Sequence, residues 1–340
     1  MIFSENLNKT YMIAEMSANH AGDYHRAEEI IYAAKEAGAD CVKVQTYTAD
    51  TITIDCSNEY FHIQDGTWKG ENLYQLYQKA YTPWEWQPRL KELADRIGID
   101  FLSTPFDKTS VDFLEDMGLE FYKIASFELV DIPLIRYIAS KKKPIILSTG
   151  MGTAEEIGEA VDAVREYHND ITLLRCASAY PAVTDEMNLM TLRDMKSRFG
   201  TRVGLSDHSM GSLGAVTAVA LGASVIEKHF CMSRSIDNPD ASFSMEPAEF
   251  KQMVLDVRNV EKAMGTVSYG PTSQEKGNVA FRRSIFVVKD IRAGEMLTEE
   301  NIRVIRPGYG LKPKYYDEVL GKKAKVDIEF GTPLNREMLE

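Results

Sequence analysis

The sequence predicts an α/β protein, a (β/α)8 (TIM) barrel followed by a small C-terminal β-rich module. Three observations predict it: eight β-branched runs alternate with helical periodicity, every run ends in polar residues, and a Gly/Ser/Thr/Pro-rich stretch follows, after which the helical repeat stops. A barrel needs about 250 residues, so a chain of 340 residues leaves room for one further module.

The strand-like runs cover residues 11–17, 41–47, 100–106, 121–127, 144–150, 171–178, 202–208 and 224–230. Between them lie amphipathic segments such as 24–37 and 153–167, the first closed by Gly38 where a helix C-cap is expected. A doubly wound open sheet would usually have fewer strands. The segment 48–81 is too long for an ordinary βα connection. It reads either as a lid or substrate wall around Trp68, or as a loop that packs on the barrel. The last helix spans 247–264, and residues 265–276 read as the start of a linker. The expected division is a barrel over 1–265, a linker over 266–283 and a module over 284–340. In the module, short strands at 284–289, 302–306 and 324–328 alternate with turns at Ala293-Gly294 and Gly331.

Composition narrows the function. With 44% hydrophobic and 26% charged residues the chain is of ordinary globular type. A formal net charge of -12 opposes a nucleic-acid partner, because displacing phosphate counterions takes clustered Lys and Arg. It leaves anionic small substrates open, since a few focused cations can sit within an acidic surface. No apolar run reaches the roughly 20 residues of a membrane span. Residues 1–10 lack the apolar core of an export signal, so a cytoplasmic protein is expected. Cys41, Cys56, Cys176 and Cys231 form no CxxC pair, which disfavours a zinc ribbon or a thioredoxin-like centre.

The polar strand ends carry the chemistry. They hold Glu15, Ser17, Asn19 and His20; Lys43 and Gln45; Ser103 and Thr104; Lys123, Ser126 and Glu128; Ser148 and Thr149; Ser178 and Tyr180; Ser206, Asp207 and His208; and Glu227, Lys228 and His229. One such residue is usually a helix cap, but eight strand ends converging on one face make a site. Lys43 and Lys123 among Thr104, Ser126, Ser148 and Ser206 suit a phosphate and a carboxylate. A Schiff-base role for either lysine is the competing reading, and it leaves the second cation and the hydroxyls unexplained. His208 and His229 occupy equivalent ends of adjacent strands and could bind Mn2+ or Mg2+ as a Lewis acid. The alternative is a pair of histidines simply hydrogen-bonded in a polar barrel mouth. His20 reads as a shaper of the first loop, while His25, His62 and His168 are unassigned.

In order along the chain stand Ala14-Glu15-Met16-Ser17-Ala18-Asn19-His20, Lys43-Val44-Gln45, Ser103-Thr104-Pro105-Phe106, Tyr122-Lys123-Ile124-Ala125-Ser126, Leu147-Ser148-Thr149-Gly150, Gly204-Leu205-Ser206-Asp207-His208-Ser209 and Ile226-Glu227-Lys228-His229-Phe230. Together these resemble the nonulosonic (sialic) acid synthase family, and the module around Arg306-Pro307-Gly308 looks like that family's antifreeze-like (SAF) domain. The resemblance implies a transferase that condenses phosphoenolpyruvate with an amino-sugar aldehyde, cleaving a C–O bond and releasing phosphate. It implies phosphoenolpyruvate contacts from Lys43, Thr104, Lys123, Ser126, Ser148, Ser178 and Ser206, with Glu15 and Glu227 joining the two lysines as catalytic groups. It also implies metal ligands His208 and His229, and sugar contacts from Gln45, Glu128, Tyr180 and Asp240. A domain-swapped homodimer, in which Arg306 reaches the partner's site, is part of the same expectation. Ser178 departs from the neuraminate branch, which has asparagine there. Ser17-Ala18-Asn19, Gln45-Thr46-Tyr47-Thr48, Trp68, Leu73-Tyr74-Gln75-Leu76-Tyr77 and Thr82-Pro83-Trp84-Glu85-Trp86 look most like the pseudaminic acid branch, whose acceptor is 2,4-diacetamido-2,4,6-trideoxy-L-altrose. N-acetylneuraminate or legionaminate synthesis, a metal-dependent aldolase and a non-catalytic binding protein are the alternatives.

Overall fold

The computed structural model describes residues 9–340, so most of the 1–10 segment read for export signals lies outside the described residues. Eight parallel strands form the first sheet: β1 (Tyr11–Glu15), β2 (Cys41–Thr46), β3 (Asp100–Pro105), β4 (Tyr122–Ile124), β5 (Ile145–Ser148), β6 (Ile171–Cys176), β7 (Arg202–Asp207) and β8 (Val225–His229). Their hydrogen-bonded order is β3-β2-β1-β8-β7-β6-β5-β4, and β3 and β4 lie side by side to bring the ring round. β4 is shorter than its apolar run suggested, because the chain turns into a 3-10 segment at Ser126–Glu128.

Strand pleating separates two cores. Met12, Ala14, Val42, Val44 and their like face the surrounding helices, while Tyr11, Ile13, Cys41, Leu102, Phe121, Ile146, Leu174 and Val225 fill the barrel interior. Side chains alternate with a period of two, so the residue two beyond each interior apolar position also faces inward. Those residues are Glu15, Lys43, Thr104, Lys123, Ser148, Cys176 and Glu227, and Ser206 follows Gly204 in the same way on β7. One step up each strand therefore changes the interior from apolar to polar. Gly204 has no side chain because a Cβ there would stand 2.4 Å from the Val225 carbonyl oxygen and 2.6 Å from Leu174.

The helices are set by local chemistry. Tyr24–Glu36 starts at Asp23, which accepts from the His25 and Arg26 amides, and ends at Ala37, with Gly38 next at φ +91°. Ala154–Arg165 begins with a Thr153/Glu156 capping box, and Pro247–Met264 with Glu246/Glu249. The long segment after β2 folds into short helices, Ala49–Ile52 and Leu73–Ala80, the latter capped by Asn72. Among the described residues no helix is long and apolar enough to cross a membrane.

The chain divides into two compact units, Met1–Gly265 and Thr266–Glu340. In the second, β9 (Ser284–Val287) pairs antiparallel with β10 (Ile302–Ile305) over a core of Ile285, Val287, Ile291, Leu297, Ile302, Val319, Ala324, Ile328 and Leu334. The expected strand at 324–328 is absent. Isolated bridges Ile291–Ile328 and Ala324–Leu339 hold that segment instead, since it pairs with different neighbours at its two ends. Residues 266–283 group with this unit and contain a 3-10 turn, Lys276–Phe281.

Candidate active site

The polar layer above the barrel core is a network of alternating charges. The Lys43 ammonium pairs with Glu15, stands 3.5 Å from Glu227 Oε1 and donates to Thr104 Oγ1 at 3.2 Å. The Lys123 ammonium donates to Ser148 Oγ at 2.7 Å and to the Ile124 carbonyl at 3.0 Å, and lies 3.9 Å from the same Glu227 oxygen. Ser206 donates to Glu227 Oε1 at 3.4 Å. Glu227 Oε2 is buried and, among the described residues, has no hydrogen-bond partner. Gln45, two residues above Lys43, donates to Glu15 Oε1 at 3.2 Å and to Ser17 Oγ at 3.0 Å.

Burial and charge pull these groups apart. Burial pushes the Glu15 carboxyl up, and the Lys43 ammonium offsets only part of that. Burial acts on Glu227 too, but Lys123, Lys43 and His208 outweigh it and hold the carboxyl below its ordinary value. Burial depresses Lys123, whereas on Lys43 the carboxylates of Glu15 and Glu227 overcome burial and raise it.

Ser126 and Ser178 close one side. The Gly150 amide donates to Ser126 Oγ at 3.1 Å, and a Cβ on Gly150 would stand only 2.0 Å from Ser178 Oγ and 2.8 Å from Ser126 Oγ. A side chain at this position would have to displace both hydroxyls. Glu128 follows on the 3-10 turn, half-buried, with Oε2 unpartnered among the described residues, and burial pushes its carboxyl up to about 7.

His208 and His229 come together at the mouth with ring centroids 5.3 Å apart. His208 Nδ1 lies 3.1 Å from the Ala177 carbonyl oxygen; against a carbonyl this nitrogen must donate, which in the neutral ring leaves Nε2 with its lone pair. Burial depresses this imidazole, but Cys176, the Ala177 carbonyl and Glu227 outweigh burial and raise it above its ordinary value. Nδ1 of His229 is buried with no partner among the described residues, and burial holds that imidazole far below its ordinary value, hence neutral. Two such nitrogens would suit a divalent ion that keeps open positions for water and substrate. A closed protein cage does not fit, since no three His, Cys, Asp or Glu side chains converge for it among the described residues. Tyr180 stacks 4.3 Å from His208, and Asp240 accepts from the Ala18 amide at 3.1 Å. His20 is buried with both ring nitrogens engaged, by the Gly22 amide at 3.0 Å and Thr82 Oγ1 at 3.2 Å, which suits a loop-shaping role. Arg306 stands in the second unit, exposed, just past β10.

Three contacts were not read from the sequence. Phe243 packs 5.0 Å from His229, but no motif marks its loop. Cys176 faces the barrel interior with Sγ 3.7 Å from His208 Nδ1. Asp207 and Lys228 form a buried ion pair at 2.8 Å directly behind the two histidines. Their adjacency to His208 and His229 in two neighbouring strands was the available signal.

Comparison with known proteins identifies the family. Residues 30–269 match the NeuB family model and residues 282–340 the SAF domain model. Pseudaminic acid synthase of Campylobacter jejuni is 47% identical over 327 residues, spanning 96% of this chain and 95% of that protein. N,N'-diacetyllegionaminic acid synthase of Legionella pneumophila is 37% identical, spanning 97% of this chain and 94% of that protein. The crystal structure of N-acetylneuraminic acid (sialic acid) synthetase from Leptospira borgpetersenii in complex with citrate superposes with a TM-score of 0.71 at 32% identity, covering 80% of this chain and 91% of that one. The chain belongs to the NeuB family, the nonulosonic acid synthases.

Proposed function

We propose that this chain condenses phosphoenolpyruvate with 2,4-diacetamido-2,4,6-trideoxy-L-altrose, giving a nine-carbon 2-keto acid and inorganic phosphate. The observation that carries the reading is the single polar layer in which Lys43, Lys123, Thr104, Ser148 and Ser206 converge beside Ser126 and Ser178. Two ammoniums and a ring of hydroxyl donors suit a phosphate next to a carboxylate. The choice of sugar rests on the pseudaminic acid synthases at 45–47% identity.

In this reading the methylene carbon of phosphoenolpyruvate attacks the open-chain aldehyde carbon, and a proton completes the new hydroxyl. Water adds to the phosphate-bearing carbon, giving up a proton for which Glu15 is the acceptor. The C–O bond then breaks, the hydroxyl left on that carbon passes its proton to the departing phosphate and becomes the keto oxygen, and phosphate leaves with the former enol oxygen. Lys43 and Lys123 hold the phosphate charge throughout. Glu227 keeps both ammoniums charged and in place. Gln45, Glu128, Tyr180 and Asp240 orient the sugar. His208 and His229 would hold Mn2+ or Mg2+, which when bound supplies Lewis-acid polarisation of the aldehyde oxygen. A domain-swapped homodimer, with Arg306 supplied by a second copy, and a cytoplasmic location where phosphoenolpyruvate is available complete the proposal.

The test is phosphate release from phosphoenolpyruvate across the diacetamido-trideoxy-altrose, N-acetylmannosamine and the legionaminate precursor, with 18O in the bridging position. Label in the phosphate and preference for the first sugar are expected. Preference for N-acetylmannosamine overturns the sugar assignment, and label retained in the keto acid overturns C–O cleavage.

A further inference from the structure

The long segment after β2 reaches the barrel mouth through two residues. Thr67 donates its hydroxyl to the Tyr180 carbonyl, and Trp68 donates its indole N–H to the Pro239 carbonyl at 2.9 Å. These contacts tie the segment to the loops after β6 and β8, which carry Tyr180 and Asp240. The indole ring lies 5.4 Å from Tyr180, tilted at 49°, and 6.3 Å from Phe243 at 82°. Tyr180 and Phe243 in turn pack on His208 and His229 at 4.3 and 5.0 Å.

We propose that Trp68 is a specificity-determining residue whose indole face, backed by Phe243 and braced by Tyr180, forms an apolar wall for a methyl group of the acceptor sugar. The proposal rests on the functional reading above and goes beyond it. The only polar atom of the indole is already committed to Pro239, so the half-buried ring offers ligands a π face and no donor. Phe243 is 1% exposed, so it backs the indole with carbon from below and does not itself meet the ligand. A hydroxyl brought against this surface loses its water and finds no partner at the indole, whereas a methyl loses nothing. The wall adjoins the histidine pair, so it borders the place where the sugar is held for reaction. A methyl can come from the deoxygenated terminus of the sugar or from an acetamido group, and the surface recognises either by the same chemistry.

The experiment compares the wild type with Trp68→Ala and Trp68→Phe on three acceptors. These are the diacetamido-trideoxy-altrose, its counterpart with a terminal hydroxyl, and its counterpart with the 4-amino group unacetylated. The readouts are kcat and KM from phosphate release, together with equilibrium binding of each sugar by calorimetry. One methyl in an apolar pocket is worth roughly ten- to two-hundred-fold in selectivity. Trp68→Ala should erase a preference of that size, chiefly through KM, for whichever analogue lacks the methyl that meets the wall, and Trp68→Phe should retain most of it. A uniform loss on all three sugars in Trp68→Ala would mean that the ring only anchors its loop, and the proposal falls. If the wild type releases no phosphate with any sugar, the functional reading fails, and the same ratios from calorimetry decide the role of Trp68.

Discussion

Replacing Lys228 with Met tests how the mouth of the barrel is held. The Lys228 ammonium sits 2.8 Å from Asp207 Oδ2 and 2.5 Å from the Ser209 carbonyl oxygen, and the two side chains are 1% and 0% exposed. Asp207 Oδ1 accepts from the Ser209 amide at 2.9 Å and from its hydroxyl at 2.6 Å. Asp207 and Lys228 are register partners across β7 and β8, one residue before His208 and His229. Removing the cation leaves a buried carboxylate with donors on one oxygen only, and breaking such a pair costs about 3–5 kcal/mol. At about 2–4 °C per kcal/mol for a unit of this size, the barrel should melt roughly 6–20 °C lower. Replacing both partners, Asp207→Asn with Lys228→Met, removes the stranded charge, so the double variant should recover most of the loss. All three tryptophans, Trp68, Trp84 and Trp86, lie in the first unit, so their fluorescence during urea unfolding reports on the barrel alone. A Lys228→Met variant within ~1 kcal/mol of the wild type, or a double variant no better than the single, refutes the reasoning.

Gly150→Ala should raise KM for phosphoenolpyruvate tenfold or more, because the new methyl displaces Ser178 and Ser126; overpacking costs about 1–3 kcal/mol of stability. An unchanged KM in steady-state assays would separate those hydroxyls from the phosphate. Glu128→Gln tests a carboxyl raised from its ordinary 4.5 to about 7. A raised carboxyl contributes stability fully present below pH ~4.5 and lost as pH rises through ~7, at most ~3 kcal/mol over that window. The glutamine variant should lack this decline, and parallel urea titrations at pH 4.5 and 8 measure the difference. His208→Ala and His229→Ala should each weaken Mn2+ binding, read by the electron paramagnetic resonance of the free ion, and abolish metal-dependent turnover. Full activity in the metal-stripped double variant contradicts the assignment.

The barrel was legible because its signal is repeated: eight short runs, each ending in polar residues, leave few other topologies. The polar layer was legible for the same reason, since pleating forces the residue two beyond an interior apolar one to face inward. What escaped depends on loops and on contacts between side chains of neighbouring strands, neither of which periodicity dictates. β4 ends early because Ala125 leads into a 3-10 turn, and Phe243 meets His229 only because residues after Pro239 fold back over the mouth. The strand expected at 324–328 reads as one apolar alternation, but Ala324 and Ile328 pair with Leu339 and Ile291, so no ladder extends between them. For Trp68 the sequence offered a wall or a packing loop, and the indole's bond to Pro239 shows the ring fixed at the mouth.

Glu15 and Glu227 looked alike in the sequence, two acids at adjacent strand ends, and their surroundings make them different. Lys43 bridges both. Glu227 also faces Lys123 and His208, so three cationic or proton-bearing groups hold it ionised against burial, and it acts as a fixed counter-charge. Glu15 has Lys43 and the Gln45 amide against complete burial and the nearby Glu227 charge, and burial wins. Two carboxyls driven in opposite directions by one shared cation divide the work. The one whose charge is costly can take a proton from water with a gain, and the one whose charge is secured keeps both ammoniums available for the phosphate. With two ammoniums against two carboxylates the layer has no net charge when all four are ionised, so attraction for an anion comes from oriented hydroxyls. The -12 of the whole chain is then no obstacle to a polyanionic substrate, because the field that matters is set within a few ångströms by groups sealed from solvent.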